Sequence, residues 1–168
     1  QFLNALGFNT RQVKNTMIIG GGTSAQYLAD KLIHSGVSVK IIEKDRARCE
    51  ELSLLLPKAI IINGDGTDEE LLKEEGIQSA ESFVPLTGID EENIMLSLYA
   101  KTLTKGKIVT KINRIAYDNV IDNLELDTII YPKNITADYI LRFVRAKKNS
   151  LGNNIETLHY ILDGKAEA

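Results

Sequence analysis

Residues 17–29 read MIIGGGTSAQYLA: a short apolar run, three consecutive glycines, and a segment with helical spacing. A strand that breaks at glycines and resumes as a helix is the sequence form of the first βα turn in a parallel α/β sheet. The pattern inside it is G-x-G-x-x-A, written by Gly20, Gly21, Gly22, Thr23, Ser24 and Ala25. In such a turn the first glycine allows a tight bend and the second lets the backbone approach a pyrophosphate. The small third residue keeps the helix close to the strand. N–H groups left free at the helix start, at the positive end of its dipole, then face the phosphates.

The alternation continues downstream. Ile- and Val-rich runs at 16–20, 38–42, 59–62, 82–86, 107–112 and 128–131 read as six strands buried on both faces. Helical spacing occupies 24–35, 46–56, 69–75, 91–103 and 116–124 between them. Asp45 stands as the N-cap of the second helix, Thr67 and Glu70 form a capping box for the third, Gly76 ends it, and Asp90 caps the fourth. With right-handed crossovers this predicts a doubly wound, Rossmann-like α/β fold with strand order 3-2-1-4-5-6.

Residues 1–15 read as a linker from an upstream region, and 16–133 as the Rossmann-like domain. A further helix at 135–148 carries Ile135, Tyr139, Leu141, Phe143 and Val144, a wide apolar face suited either to a second subunit or to an edge of its own sheet. The segment 134–150 is thus a crossover or dimerisation helix, and 151–168 the start of a further domain that stops early. Because the chain begins at Gln1, it reads as a piece of a longer protein.

At 168 residues, 43% hydrophobic and 26% charged, the chain accommodates one α/β domain with an appendage, but not a nucleotide domain plus a full catalytic domain. A formal net charge of -3 with 6% aromatic residues gives no basic footprint, which argues against nucleic acid as a partner. The longest apolar runs fall far short of the roughly 20 residues that span a bilayer, so direct membrane insertion is not expected. The single cysteine, Cys49, and the lack of a signal peptide before the first strand point to a reducing cytosol.

The strand ends supply the candidate site. Glu43 closes the second strand about 20 positions after Gly22, where a carboxylate accepts both adenosine ribose hydroxyls and repels a 2′-phosphate, disfavouring NADP. Lys44 beside it is either a softening charge or a solvated side chain. Asp65, with Gly66 after the third strand, is placed to accept from an adenine amino group or from a nearby backbone donor. Thr87 and Gly88 lie at the switch point of the sheet, opposite the first turn, where the second half of a dinucleotide or a phosphate tail would lie. Lys111 near the end of the fifth strand is either a cation over the phosphates or an ordinary edge residue. His34, His159 and Cys49 all fall away from this crevice, and no nucleophile set or metal cluster converges on it. The residues point to nucleotide binding without catalysis.

Taken together, IIGGGTSA, VKIIEKD with RCEEL, INGDGTDEELLKEEGI, LTGIDEENIMLSLYAK and IIYPKNITADYILRFVR resemble the second nucleotide-binding repeat of the TrkA-type potassium uptake regulators. These belong to the regulator of K+ conductance family, with its RCK or KTN (TrkA-N) domain, and the likeness covers about 16–148. It implies a cytoplasmic regulatory subunit, peripheral on the inner face of the cell membrane through a potassium-translocating membrane subunit. The ligand it implies is NAD(H) or an adenine nucleotide, and the assembly a homodimer or ring through the late helix. The resemblance puts the phosphates on Gly20, Gly22 and the 23–25 turn, the ribose on Glu43, the adenine side on Asp65, and the distal part of the ligand on Thr87 and Lys111. Many family members carry Arg or Asn where this chain has Thr23, so a charged contact to a γ-phosphate is missing. That weakens the expectation of ATP and leaves NAD, NADH, AMP and ADP open.

Two enzyme classes share the first turn. An NAD-dependent oxidoreductase fragment would need a proton relay near the nicotinamide and a substrate domain. A methyltransferase using S-adenosylmethionine would add an antiparallel seventh strand and favour a third glycine where Ser24 stands.

Overall fold

The computed structural model describes residues 12–114, 121–149, 160–161 and 166–167. The chain divides between Ile130 and Tyr131 into two compact units. The first holds β1 (Asn15–Ile19), α1 (Thr23–His34), β2 (Ser38–Glu43), α2 (Arg46–Leu55), β3 (Ile60–Asn63), α3 (Glu69–Glu74), β4 (Ser82–Pro85), α4 (Asp90–Leu103), β5 (Lys107–Lys111) and β6 (Thr128–Ile130). These strands form one parallel sheet in the order β3-β2-β1-β4-β5-β6, the doubly wound arrangement expected of the alternating pattern.

Why the central strands read as unbroken apolar runs is visible in how consecutive residues split between the faces. Met17, Ile19, Ile42 and Phe83 pack with Leu72, Ile77, Leu96 and Ala100 on one side. Ile18, Ile41 and Val84 pack with Ala25, Ala29, Leu52 and Leu56 on the other. Ala25 and Ala29, one turn apart on α1, are completely buried, so the helix backbone comes close to the sheet. The edges are covered less fully: every residue of β6 is half-buried, and Ile60 at the start of β3 is exposed. The expectation of six strands buried on both faces therefore holds for the centre and not for the rims.

Several local expectations are corrected. The first and third strands are each displaced by one residue: β1 starts at Asn15 and ends at Ile19, and β3 runs to Asn63, whose register partner is Glu43. The N-cap of α3 is Asp68 rather than Thr67: its carboxylate accepts from the N–H groups of Glu70 and Leu71, while Thr67 gives its hydroxyl to Asp65. Asp90 does not cap α4. It is the first helical residue, and its carboxylate accepts instead from the backbone of Asn113 and Arg114 beyond β5. Gly76 does end α3, with φ of +83° in the left-handed region where glycine costs nothing. Of the helix expected at 116–124, residues 116–120 lie outside the described residues, and Asp122–Leu124 forms a single 3-10 turn.

The second unit contains α5 (Pro132–Asn149), three residues longer at its start than the spacing indicates, because Pro132 is well suited to a first helical position. Ile135, Tyr139 and Phe143, at successive i, i+4 positions, are exposed. Two short strands, β7 (Tyr160–Ile161) and β8 (Ala166–Glu167), pair antiparallel. The rest of 150–168, and 1–11 of the expected linker, lie outside the described residues. No helix among the described residues is long and apolar enough to cross a membrane.

Candidate functional site

At the carboxyl edge of the sheet, Gly20, Gly21, Gly22, Glu43, Lys44, Asp65, Gly66, Thr87 and Gly88 line a single cleft of about 330 Å³, with Ile19, Ile42, Leu86, Ile89 and Glu92. Of the residues singled out in the sequence, Thr23 and Ser24 are exposed on the first turn of α1, Ala25 is buried against the sheet, and none of the three lines the cleft. Lys111 stands outside the lining as well, its Nζ 3.5 Å from the Leu86 carbonyl. Burial lowers the Lys111 pKa, and the nearby Asp90 carboxylate opposes that shift.

The three glycines have three different reasons. Gly20 has φ of +91°, and a Cβ there would stand 3.2 Å from the Leu86 carbonyl and the Thr87 Cα, so the bend and the close approach of the β4 loop both require glycine. At Gly21 a Cβ would meet Leu52 at 2.6 Å. At Gly22 it would meet nothing within 4 Å. Gly22 is the N-cap of α1 in an ordinary extended conformation, it supplies no capping side chain, and the first turn holds no acidic residue. The start of α1 is therefore an uncapped positive end aimed at open space.

Gly21 is held at both ends of its backbone. Its N–H donates to Glu43 Oε2 at 2.6 Å, and its carbonyl accepts from Arg48 Nε at 2.7 Å. Glu43 Oε1 accepts from the Asp45 N–H, so each carboxylate oxygen is already engaged once while retaining a further lone pair. Glu43 thus braces the turn as well as facing the cleft. Arg48 also donates to Gln26 on α1 and pairs with Glu51. Its part in the turn is not evident in the sequence, since its partner is a backbone carbonyl. Cys49 is buried behind Glu43, with its thiol directed at the Glu43 carbonyl, and burial raises its pKa.

Across the cleft, Asp65 accepts from the N–H and the hydroxyl of Thr67, the nearby-donor alternative among its expected roles. Those two bonds hold its carboxyl below the ordinary carboxylate range, with a smaller contribution from Lys44. A Cβ on Gly66 would overlap the Ile19 side chain, so this loop lies flat on β1. The β4 loop is organised by Asn93, fully buried in α4. Its Oδ1 accepts from the Thr87 N–H at 2.9 Å, and its Nδ2 donates to the carbonyls of Thr87 and Lys111. A signal for it exists in the sequence: Asn93 shares a helical face with Leu96, Ser97 and Ala100, and a polar group on a buried face needs partners.

No group of three or more His, Cys, Asp or Glu side chains suited to a metal occurs among the described residues. What the cleft can do is hold an extended polar ligand, with helix N–H groups at one wall, a carboxylate at the β2 end, and a polar loop opposite.

Residues 16–132 match the family model described as the TrkA-N domain. The Trk system potassium uptake protein TrkA of Haemophilus influenzae is 41% identical over 155 residues, which is 92% of this chain and 32% of that protein. The chain spans about a third of the length of the curated relatives it matches. Among solved structures, the TrkA-N domain of the inner membrane protein ybaL from Escherichia coli superposes with a TM-score of 0.70 at 16% identity, covering 80% of this chain and 99% of that one. The GsuK channel bound to NAD gives a TM-score of 0.62 at 16% identity, over 92% of this chain and 26% of that one. At such identity the two structures speak to the fold.

Proposed function

The chain belongs to the TrkA-N domain family, and from that premise we propose that it is a regulatory nucleotide-binding module of a Trk or Ktr type potassium uptake system. Its cleft takes NAD(H) or an adenine nucleotide. The observation that carries this reading is the meeting, in one cleft, of the uncapped α1 N-terminus behind Gly22 with the Glu43 carboxylate at the end of β2. Phosphates sit against the helix N–H groups, and the ribose hydroxyls donate to the lone pairs that Glu43 retains. That the GsuK channel of the same fold is solved with NAD supports the choice of ligand.

The role is sensing rather than turnover. That reading is supported by the curated relatives, which are named as potassium uptake proteins. In the cell the module works in the cytoplasm, held at the inner face of the membrane by the potassium-translocating subunit it regulates. Copies associate as a homodimer or ring through α5, whose exposed Ile135, Tyr139 and Phe143 supply the apolar surface. Ligand state reaches the transporter because one arrangement of the assembly binds the nucleotide more tightly than the other; equal affinity would shift nothing.

Calorimetric titration with NAD, NADH, AMP, ADP and ATP tests the binding step. A saturable response at roughly micromolar concentration, about 8 kcal/mol, is expected for at least one of them. No heat with any of them at millimolar concentration rejects the proposal, and hydride transfer to a panel of carbonyl compounds would restore the oxidoreductase reading.

A further inference from the structure

Around the cleft the charges are unequal. Glu43, Asp65 and Glu92 line it against one cation, Lys44. Lys44 acts on Asp65 beside it, and the two oxygens of Glu43 each accept a backbone N–H. Glu92, half-buried on the first turn of α4, has no hydrogen-bond or ion-pair partner among the described residues. Lys111 stands outside the lining, its Nζ 3.5 Å from the Leu86 carbonyl and the nearby carboxylate acting on it that of Asp90. The wall that carries Thr87, Gly88, Ile89 and Glu92 stands against the glycine turn, with the Thr87 Cα 3.2 Å from where a Cβ on Gly20 would lie, so under the nucleotide reading above it would meet the end of the ligand beyond the phosphates.

We propose that Glu92 is a specificity-determining residue that makes the cleft select nucleotides without a terminal phosphate, dinucleotides above all, over ADP and ATP. The inference rests on the nucleotide reading above and narrows its ligand class. A terminal phosphate carries close to two negative charges at neutral pH, because its second pKa is about 6. Each phosphate of a dinucleotide pyrophosphate carries only one, and the oxidised nicotinamide ring is cationic. An unpaired carboxylate at the distal wall repels the former and tolerates or attracts the latter. Glu92 is half-buried, which keeps that repulsion from being fully screened. Glu91, the neighbouring residue on the same helical turn, is exposed and does not line the cleft, which makes it the natural control.

Titrations of the purified chain with NAD, NADH, ADP and ATP, in EDTA and at low ionic strength, are compared for wild type, Glu92→Gln and Glu91→Gln. Wild type is expected to bind both dinucleotides more tightly than ADP, and ADP more tightly than ATP. Glu92→Gln should strengthen ATP binding about tenfold, equal to about 1.4 kcal/mol, and leave NADH within about twofold. The gain should shrink as salt is raised, and Glu91→Gln should not reproduce it. The proposal is overturned if Glu92→Gln leaves ATP affinity unchanged, if it strengthens NADH and ATP equally, or if Glu91→Gln does the same. Each of those results leaves nucleotide binding standing, whereas no binding by wild type to any of the four overturns both.

Discussion

The first two βα turns of this sheet lie side by side and begin their helices in opposite ways. Between β2 and α2 stand Lys44 and Asp45, and the Asp45 carboxylate accepts from the N–H groups of Ala47 and Arg48, closing the helix start with the chain's own atoms. Between β1 and α1 stand three glycines, and no side chain caps the helix. Local stability alone favours an Asp, Asn or Ser at both places. The difference teaches that the first turn is shaped for something other than its own stability, and that the second turn is what holds it. Glu43 and Arg48, from β2 and α2, grip the N–H and the carbonyl of Gly21.

The largest break in that comparison comes from Gly20→Ala. The φ of +91° and the backbone of Leu86 and Thr87 at 3.2 Å leave no relaxed place for a Cβ. A loss of about 2 kcal/mol is expected in denaturant unfolding. A change within a few tenths would show that the turn is softer than its packing against the β4 loop implies.

A paired substitution sharpens the contrast at the helix starts. Asp45→Ala should cost about 1 kcal/mol through loss of the α2 cap. Gly22→Asp, placed in open space, should give α1 a cap and stabilise by a few tenths of a kcal/mol. It should also abolish nucleotide binding, because the new carboxylate occupies the place of the phosphates and repels them. Stability and binding thus move in opposite directions at Gly22, read by thermal melting and by titration. Undiminished binding by Gly22→Asp would mean that the phosphates do not sit at α1.

What the sequence discloses follows from how the strands are covered. Residues 17–19 and 39–42 read plainly as strands because helices bury both faces of the central sheet, leaving an apolar run with no alternation to misread. At the edge that protection fails, and in the third strand Ile60 is exposed while Ile61 and Ile62 are only half-buried. Thr67 and Asp68 are adjacent residues of N-cap type, so pattern alone does not choose between them; Asp65 chooses, by engaging Thr67. Asp90 looks like a cap for the same reason, yet long-range bonds to Asn113 and Arg114 claim it. Of the cleft, the glycines, Glu43 and the β4 loop are legible from spacing along the chain. Arg48 is not, because it acts on a backbone carbonyl of the neighbouring βα turn, and nothing in its local sequence encodes that.

The third βα turn completes the series and gives the smallest effect. It has a helix cap, Asp68, like the second turn, and a second carboxylate, Asp65, that faces the cleft yet is braced by Thr67. Those bonds favour the ionised form, so the folded-state pKa of Asp65 lies below its unfolded value. The stabilisation from its charge is therefore fully present above the unfolded carboxylate pKa of about 3.9, and is lost as pH falls through the lower folded value. Asp65→Asn keeps an oxygen acceptor for the Thr67 N–H and removes only the charge. The stability difference between wild type and Asp65→Asn should then be small and constant from about pH 7 to about pH 5, and close as pH drops below about 4. Exposure of the carboxylate to water keeps the difference small throughout. Thermal melts of the two proteins across that range decide it: a difference that persists unchanged through acid would show that Thr67 holds the amide less well than the carboxyl group whatever its charge, and that ionisation of Asp65 is not what fixes this wall of the cleft.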